Sequence, residues 1–228
     1  MRIRDICPDE GQLRISRRIH VMLLREGCKV NHKRVYRLYK LEGLMMRPKR
    51  PRRHVSASRR MVRAAASYPG ESWSMDFMSD ALYDGQKIKI LTLVDNYTRE
   101  SLAIEVAWCL GGHGVVAVLM QIVEDKGLSK SIRIDNGPEF TSRVLDKWAY
   151  SNGVELNLTR PGKPTDNALI ESFNGRFSEE CLNECWFLSL EDAREKVEKW
   201  RQHYNLRRPH GSLGNKSPVE FAAALMSK

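Results

Sequence analysis

From Ser72 to Glu184 the chain alternates short apolar runs with longer segments of helical period, in an order that few folds can accommodate. Trp73–Phe77, Ile88–Val94 and Leu102–Val106 read as three strands in succession. Gly114–Lys126 carries Val115, Val116, Val118, Leu119, Ile122 and Val123, the pattern of a helix packed on a sheet. Ser131–Ile134 is a fourth strand, Phe140–Asn152 a helix, and Val154–Leu158 a fifth strand. A Gly/Pro-rich loop, Thr159–Asp166, leads into a helix from about Asn167 to Glu184. This order predicts an α/β unit with a five-stranded mixed sheet flanked by helices. The remainder is helical. Ser189 with Asp192 forms a capping signal ahead of Leu190, Ala193, Val197, Trp200 and Tyr204. Ser217-Pro218 with Glu220 opens a last short helix.

The first 70 residues have a different character. They hold 19 of the 38 Lys and Arg but 5 of the 28 Asp and Glu, a net of +14 against −4 for the other 158 residues. Such asymmetry suggests a polyanion-binding module joined to a separate body, with nucleic acid the expected polyanion. Ile15, Ile19, Met22 and Leu23 fall at helical spacing, with Arg17, Arg18 and Arg25 on other faces. Gly27-Cys28 breaks that helix. Asn31 caps a second one, with Val30 and Val35 placed as a hydrophobic staple. Val35, Leu38 and Leu41 continue its apolar stripe, while His32, Lys33, Arg34, Arg37 and Lys40 line the polar side and Gly43 ends it. Two helices about a short turn, the second one basic, form a small all-α helix-turn-helix; a helical hairpin with a solvated basic face has the same pattern. Residues 46–66 are basic and Pro-punctuated, suited to a linker that lies along a phosphate backbone or to a plain tether.

No apolar run approaches the ~20 residues needed to span a bilayer, and Met1–Cys7 lacks the apolar stretch of an export signal. Five scattered cysteines without a Cys-x-x-Cys pair fit free thiols in a reducing compartment and argue against a zinc finger. The expectation is a soluble intracellular protein.

Three carboxylates stand out. Asp76 interrupts the first strand, Asp135 ends the fourth, and Glu171 lies near the start of a helix after a loop. Hard oxygen ligands from distant parts of a chain suit Mg²⁺. Two ions there would serve phosphodiester chemistry. Buried pairing with Arg or Lys is the competing explanation, because an unpaired charge in an apolar strand costs several kcal/mol. Thirty-five residues lie between Asp135 and Glu171, a spacing that carries little weight in a chain with 28 acids. Asp95 and Glu139 are rival carboxylates. Asp95 precedes Asn96-Tyr-Thr98, which reads as turn chemistry, and Glu139 reads as a helix-start acid.

Trp73-Ser-Met-Asp76-Phe, Leu93-Val-Asp95-Asn-Tyr-Thr-Arg99, Asp135-Asn-Gly-Pro-Glu-Phe140 and Asp166-Asn-Ala-Leu-Ile-Glu171-Ser-Phe-Asn174-Gly resemble the DDE integrase core. More narrowly, they resemble the OrfB transposases of the insertion-sequence-three group. Tyr204-Asn205, Arg208-Pro-His210, Leu213 and Ser217-Pro218 stand where that group has its closing motif. Arg17-Arg-Ile-His20 and Asn31–Leu38 resemble its helix-turn-helix.

The resemblance implies a helix-turn-helix module over 1–45, a linker over 46–66, and an RNase H-like integrase core with a C-terminal helical extension over 67–228. It implies that Asp76, Asp135 and Glu171 are catalytic and hold two divalent ions, Mg²⁺ or Mn²⁺. The activity implied is cleavage of transposon ends followed by transfer of the freed 3′-hydroxyl to target DNA. Arg17, Arg18, Lys33, Arg34, Arg37, Lys163 and Arg176 are the expected DNA contacts, with a mobile surface lysine the alternative for Lys163. The implied partners are DNA, further copies of the chain in a multimer on DNA, and an OrfA product, fused or separate; the implied location is the bacterial cytoplasm at the nucleoid.

Two departures are visible. Ser178 stands seven positions after Glu171, where the group commonly has a basic residue. The group also usually has more chain before the helix-turn-helix, with a Gly-Tyr-Arg cluster where this sequence reads Leu13-Arg-Ile-Ser16. A shortened reading frame and weakened end binding are the corresponding expectations, and a DNA-binding relic without catalysis is the alternative to an active transposase.

Overall fold

The computed structural model describes residues 16–44, 66–135, 137, 140–159 and 167–226. The chain divides into two compact units, residues 1–65 and 66–228.

In the first unit, α1 (Ser16–Arg25) and α2 (His32–Leu41) form a helical pair. Gly27, at φ 79°, makes the turn, and the Cys28 N–H donates to the Leu23 carbonyl at 2.8 Å. Asn31 caps α2, its Oδ1 accepting from Lys33 N at 2.9 Å. Ile19, Leu23, Val35 and Tyr39 make the core, with Val30 and Leu38 packed against it. Leu41 does not continue the apolar stripe: it is 74% exposed, and Tyr39 occupies the core instead. At about 100° per residue, Tyr39 returns to within about 40° of Val35, whereas Leu41 is swung by about 240°. Ile15 and residues 46–65 of the expected linker lie outside the described residues.

The second unit is a three-layer α/β/α arrangement. Strands β1 (Ser72–Ala81), β2 (Lys87–Asp95), β3 (Ser101–Ala107), β4 (Ser131–Ile134) and β5 (Glu155–Leu158) form one sheet in the order β3-β2-β1-β4-β5. The pairs β1–β2 and β2–β3 are antiparallel, and β1–β4 and β4–β5 parallel. Strand β1 continues four residues beyond Phe77, because β2 pairs with it all the way from Trp73↔Asp95 to Ala81↔Lys87. The period of two sorts its side chains. Trp73, Met75 and Phe77 face α3 (Gly112–Lys126) and α4 (Arg143–Asn152). Met78 packs on the opposite side, in the core that includes Ile170, Phe173 and Phe177 of α5 (Ala168–Phe177) and Val197, Trp200 and Tyr204 of α6 (Leu190–Leu206).

Several boundaries differ from the sequence expectation. Helix α4 starts at Arg143 and not Phe140, because Ser142 is its cap and accepts from Leu145 N. Phe140 packs on Phe77, with ring centroids 4.9 Å apart. The expected helix through Glu184 is α-helical only to Phe177; a π-helical turn, Ser178–Leu182, follows. The caps of the last two helices are as read: Ser189 Oγ accepts from Asp192 N, and Ser217 and Glu220 bond reciprocally ahead of α7 (Pro218–Met226). Cys28, Cys109, Cys181 and Cys185 are in no disulfide bond.

Edge strand β3 is sealed by α6. Arg194 Nε donates to the Val106 carbonyl at 2.8 Å, and Arg201 Nη1 to that of Ser101 at 2.9 Å. Asn205 donates to Ser101 O and accepts from Ser101 N, both at 2.9 Å. These bonds satisfy strand groups that would otherwise invite pairing with another chain.

Candidate active site

The parallel register of β1 and β4 is fixed by Ser72↔Ser131, Trp73↔Ile132 and Ser74↔Arg133. Carried two residues further, it brings Asp76 level with Asp135. Asp76 has the parity of Ser74 and meets Asn174 on the sheet face that α5 covers; Asp135 follows directly on β4 with the parity of Arg133. Helix α5 is anchored there by buried Ile170, Phe173, Asn174 and Phe177, which leaves Glu171 exposed in its first turn. A carboxylate in a first helical turn is favoured by the helix dipole.

Asp76 is half-buried. Its Oδ1 accepts from Phe77 N and its Oδ2 from Asn174 Nδ2, both at 2.8 Å. Its pKa is nonetheless pushed up to about 6, first by burial, then by the negative charges of Asp135 and Glu171, against the two hydrogen bonds. Asp135 and Glu171 therefore each lie within electrostatic reach of Asp76. Among the described residues, none of the three forms an ion pair with Lys or Arg. Charge pairing is thus not what keeps a carboxylate at position 76.

Asn174 is the residue the sequence reading left without a role. Its Nδ2 holds Asp76, and its Oδ1 accepts from the buried Thr92 hydroxyl at 2.9 Å. It thereby joins α5 to β1 and β2. The available signal was its place three residues after Glu171 on the same helix, where side chains share a side.

Asp135 sits just past β4, and its Oδ1 accepts from Gly137 N at 2.9 Å. Asp95 is buried and accepts three backbone N–H bonds, from Gly70, Tyr97 and Thr98. It is spent on turn structure, as its sequence context suggests. Glu139 and Lys163 lie outside the described residues. Arg176 is on α5, where its guanidinium is 3.1 Å from Glu179, in an ion pair. Ser178 opens the π-helical turn. Lys33, Arg34 and Arg37 are exposed on α2; on α1, Arg17 is exposed and Arg18 half-buried. All five belong to the first unit.

Among the described residues, no three His, Cys, Asp or Glu side chains close into a ready-made cation cage. Mg²⁺ is usually held by one or two carboxylates with water and substrate phosphate, so a full protein cage is not required. The donor set fits such an ion: all oxygen, negatively charged, and mutually repelling in a way a cation relieves.

Residues 66–164 match the integrase core domain family, residues 152–218 a second family also described as an integrase core domain, and residues 1–53 an HTH-like domain family. A 31.7 kDa protein of insertion element IS407 from Burkholderia multivorans is 49% identical over 207 residues, covering 91% of this chain and 74% of that protein. A 39.2 kDa protein of IS476 from Xanthomonas euvesicatoria is 47% identical over 91% of this chain and 60% of its own length. The transposase for insertion sequence element IS904 of Lactococcus lactis is 27% identical, covering 92% and 86%. In three dimensions, the HTLV-2 integrase catalytic core domain, solved with magnesium, overlays with a TM-score of 0.55 at 18% identity, covering 68% of this chain and 97% of that one. A simian T-cell lymphotropic virus intasome chain gives 0.58 at 13% identity, covering 85% and 67%. These structural likenesses establish the integrase-type sheet and helices. With the integrase-core matches, the HTH-like match and the insertion-element relatives together, the chain belongs to the integrase-core family of insertion-sequence DNA transposases, of the OrfB type.

Proposed function

We propose that Asp76, Asp135 and Glu171 form the catalytic centre of a metal-dependent DNA-cleaving and strand-transferring enzyme, a DDE-type polynucleotidyl transferase. The observation that carries this reading is geometric: Asn174, on the helix that bears Glu171, donates to Asp76 at 2.8 Å, and β4, paired to β1 beside Asp76, ends immediately before Asp135. Anions assembled without a cationic partner oppose folding, and a function that needs them there explains their presence.

In this reading the three carboxylates hold two divalent ions, Mg²⁺ or Mn²⁺. Such ions supply Lewis-acid activation of the attacking hydroxyl and stabilisation of the leaving oxygen. The chain's own groups do the positioning. Asp76 presents its oxygens from a strand paired on both sides, Asp135 from the end of β4 with Gly137 N donating to it, and Glu171 from a helix seated in the core. Asn174 holds the Asp76 carboxylate in one orientation. Water attacks the phosphodiester at the element end and frees a 3′-hydroxyl, which then attacks a target phosphodiester and displaces the 3′-oxygen of the target strand.

The helix-turn-helix unit reads or grips the ends, with Arg17, Arg18, Lys33, Arg34 and Arg37 as phosphate or base contacts. Lys163 and Arg176 contact DNA near the centre, Arg176 by exchanging Glu179 for phosphate. The enzyme acts as a multimer on two ends, with an OrfA product as partner or fusion. Among the described residues no helix is long and apolar enough to cross a membrane, and the proposed place of action is the cytoplasm, at the nucleoid.

The test is Mg²⁺- or Mn²⁺-dependent nicking and strand transfer on a plasmid carrying the gene's own flanking DNA, with Asp135→Asn as control. Activity that vanishes in the variant supports the reading. Equal activity in both proteins overturns the role of Asp135. Salt-sensitive binding to the flanks with no cleavage, even with OrfA added, overturns the catalytic reading in favour of a DNA-binding relic.

A further inference from the structure

The π-helical turn that follows α5 is locked to the C-terminal tail by a buried ion pair. Glu180 is 3% exposed and Arg208 1%. Arg208 Nη1 and Nη2 donate to Glu180 Oε2 and Oε1, the second at 2.6 Å, in a two-pronged fork. The guanidinium lies over the Tyr204 ring, 5.2 Å from its centroid. Arg208 Nε is buried and makes no hydrogen bond. Removing two charges from water is expensive, and an apolar pair of similar volume often serves stability as well or better. What a fork provides and an apolar contact does not is one defined geometry.

Both ends of this clamp are attached to something rigid. On the tail side, Asn205 is bonded to both backbone groups of Ser101 on β3, while Tyr204 packs edge-on against Phe173 of α5 itself, with centroids 5.0 Å apart. On the helix side, Glu180 is nine residues from Glu171, six along α5 and three into the π-helical turn, and Glu180 is buried where Glu171 is exposed. The two side chains thus leave the helical column on opposite sides: Glu180 inward to its socket, Glu171 outward to the carboxylate site. Turning α5 about its axis to swing Glu171 away from Asp76 would drag Glu180 out of the fork.

We propose that Arg208 is a positioning residue for the transposase reaction: by gripping Glu180 it sets the rotation of α5 and so directs Glu171 toward Asp76. The inference rests on Glu171 being a catalytic carboxylate. It gives the Arg208-Pro-His210 tail motif a role in catalysis at a distance, without contact to DNA.

The experiment uses the full chain with Arg208→Lys, which keeps the charge but loses the fork, and with the apolar double variant Arg208→Met/Glu180→Leu. Each is assayed about 20 °C below its own Tm. Three quantities are read: Mn²⁺ affinity by electron paramagnetic resonance, kcat for strand transfer, and KM for end DNA. The expected result is a tenfold or greater loss of Mn²⁺ affinity and of kcat in both proteins, with KM for DNA within twofold of wild type. Folded variants with Mn²⁺ affinity and kcat within twofold of wild type would overturn the proposal and leave the pair a packing feature. Full activity in Glu171→Gln would overturn the reading of Glu171 itself, and the proposal with it, whatever Arg208→Lys does.

Discussion

Asn174 donates a 2.8 Å hydrogen bond to Asp76, and this contact joins the helix that carries Glu171 to the strand that carries Asp76. The Asn174 oxygen is at the same time committed to Thr92, so its amide has one orientation. Asn174→Ala removes a donor that favours the charged form of Asp76. The Asp76 pKa is expected to rise further, shifting the pH dependence of metal binding and cleavage to higher pH. The loss of two bonds at a buried residue is expected to cost about 1–3 kcal/mol. Mn²⁺ titrations across pH in both proteins check the shift; a variant with an unchanged midpoint removes Asn174 from the site.

Asp76 itself gives a stability signature. Its folded pKa of about 6 lies above the ordinary 3.8, so between those values the folded state holds more protons than the unfolded one. Stability is therefore greatest at low pH on this account and is lost as pH rises through 6. Asp76→Asn abolishes that loss. At pH 7.5 and without metal the variant is expected to be about 1–2 kcal/mol more stable than wild type, after allowing for the site's partial exposure. Near pH 3.5 the difference is expected to vanish. Thermal melts at the two pH values check this, and an equal gain at both would mean the charge is not the cause.

Helix α6 is expected to protect the sheet edge. Asn205→Leu leaves the Ser101 N–H without its acceptor in a buried position, at about 1–3 kcal/mol. The urea midpoint is expected to fall accordingly, and light scattering is expected to show concentration-dependent association through the exposed edge of β3.

In the first unit, Tyr39→Ala and Leu41→Ala separate the buried from the exposed apolar position of α2. The former truncates a side chain that is 6% exposed and is expected to unfold or severely weaken the unit. The latter is expected to change stability by less than about 0.5 kcal/mol. Circular dichroism melts decide between them, and comparable losses would contradict the helix phase described.

Lys33→Ala and Arg37→Ala are expected to weaken binding to the element ends without changing the melting of the catalytic unit. If each meets a phosphate, the slope of log K against log salt becomes shallower by about 1 per residue removed. Fluorescence anisotropy over a salt series reads this directly. An unchanged slope assigns the residue to base contact or to no contact.

The sequence carried the strand–helix order because periodicity and caps are local. Ser131–Ile134 was legible to the residue, and Ser189 and Ser217 marked their helices correctly. It singled out Asp76, Asp135 and Glu171 as candidates because Asp76 interrupts a strand, Asp135 ends one and Glu171 follows a loop at a helix start, and the resemblance grouped them. It missed the outer half of β1, since Met78-Ser-Asp-Ala looks like a turn until β2 lies beside it. It misjudged Leu41, because an apolar residue at a helix end satisfies the spacing without finding a partner. Asn174 was in plain view but had no assignable role, since amides mid-helix are common and its partners are on other strands.

What the sequence determined by itself is therefore the set of elements, the separate basic module and the three carboxylates, each written within a few residues of chain. What only the tertiary structure decided is the set of long-range pairings: the β1–β4 register that levels Asp76 with Asp135, the Asn174 bridge to Asp76, and the buried Arg208–Glu180 fork. Those contacts join residues 28 to 98 positions apart. No period or cap encodes such pairs, because the low-dielectric interior that makes them selective exists only once the sheet and its helices have closed around them.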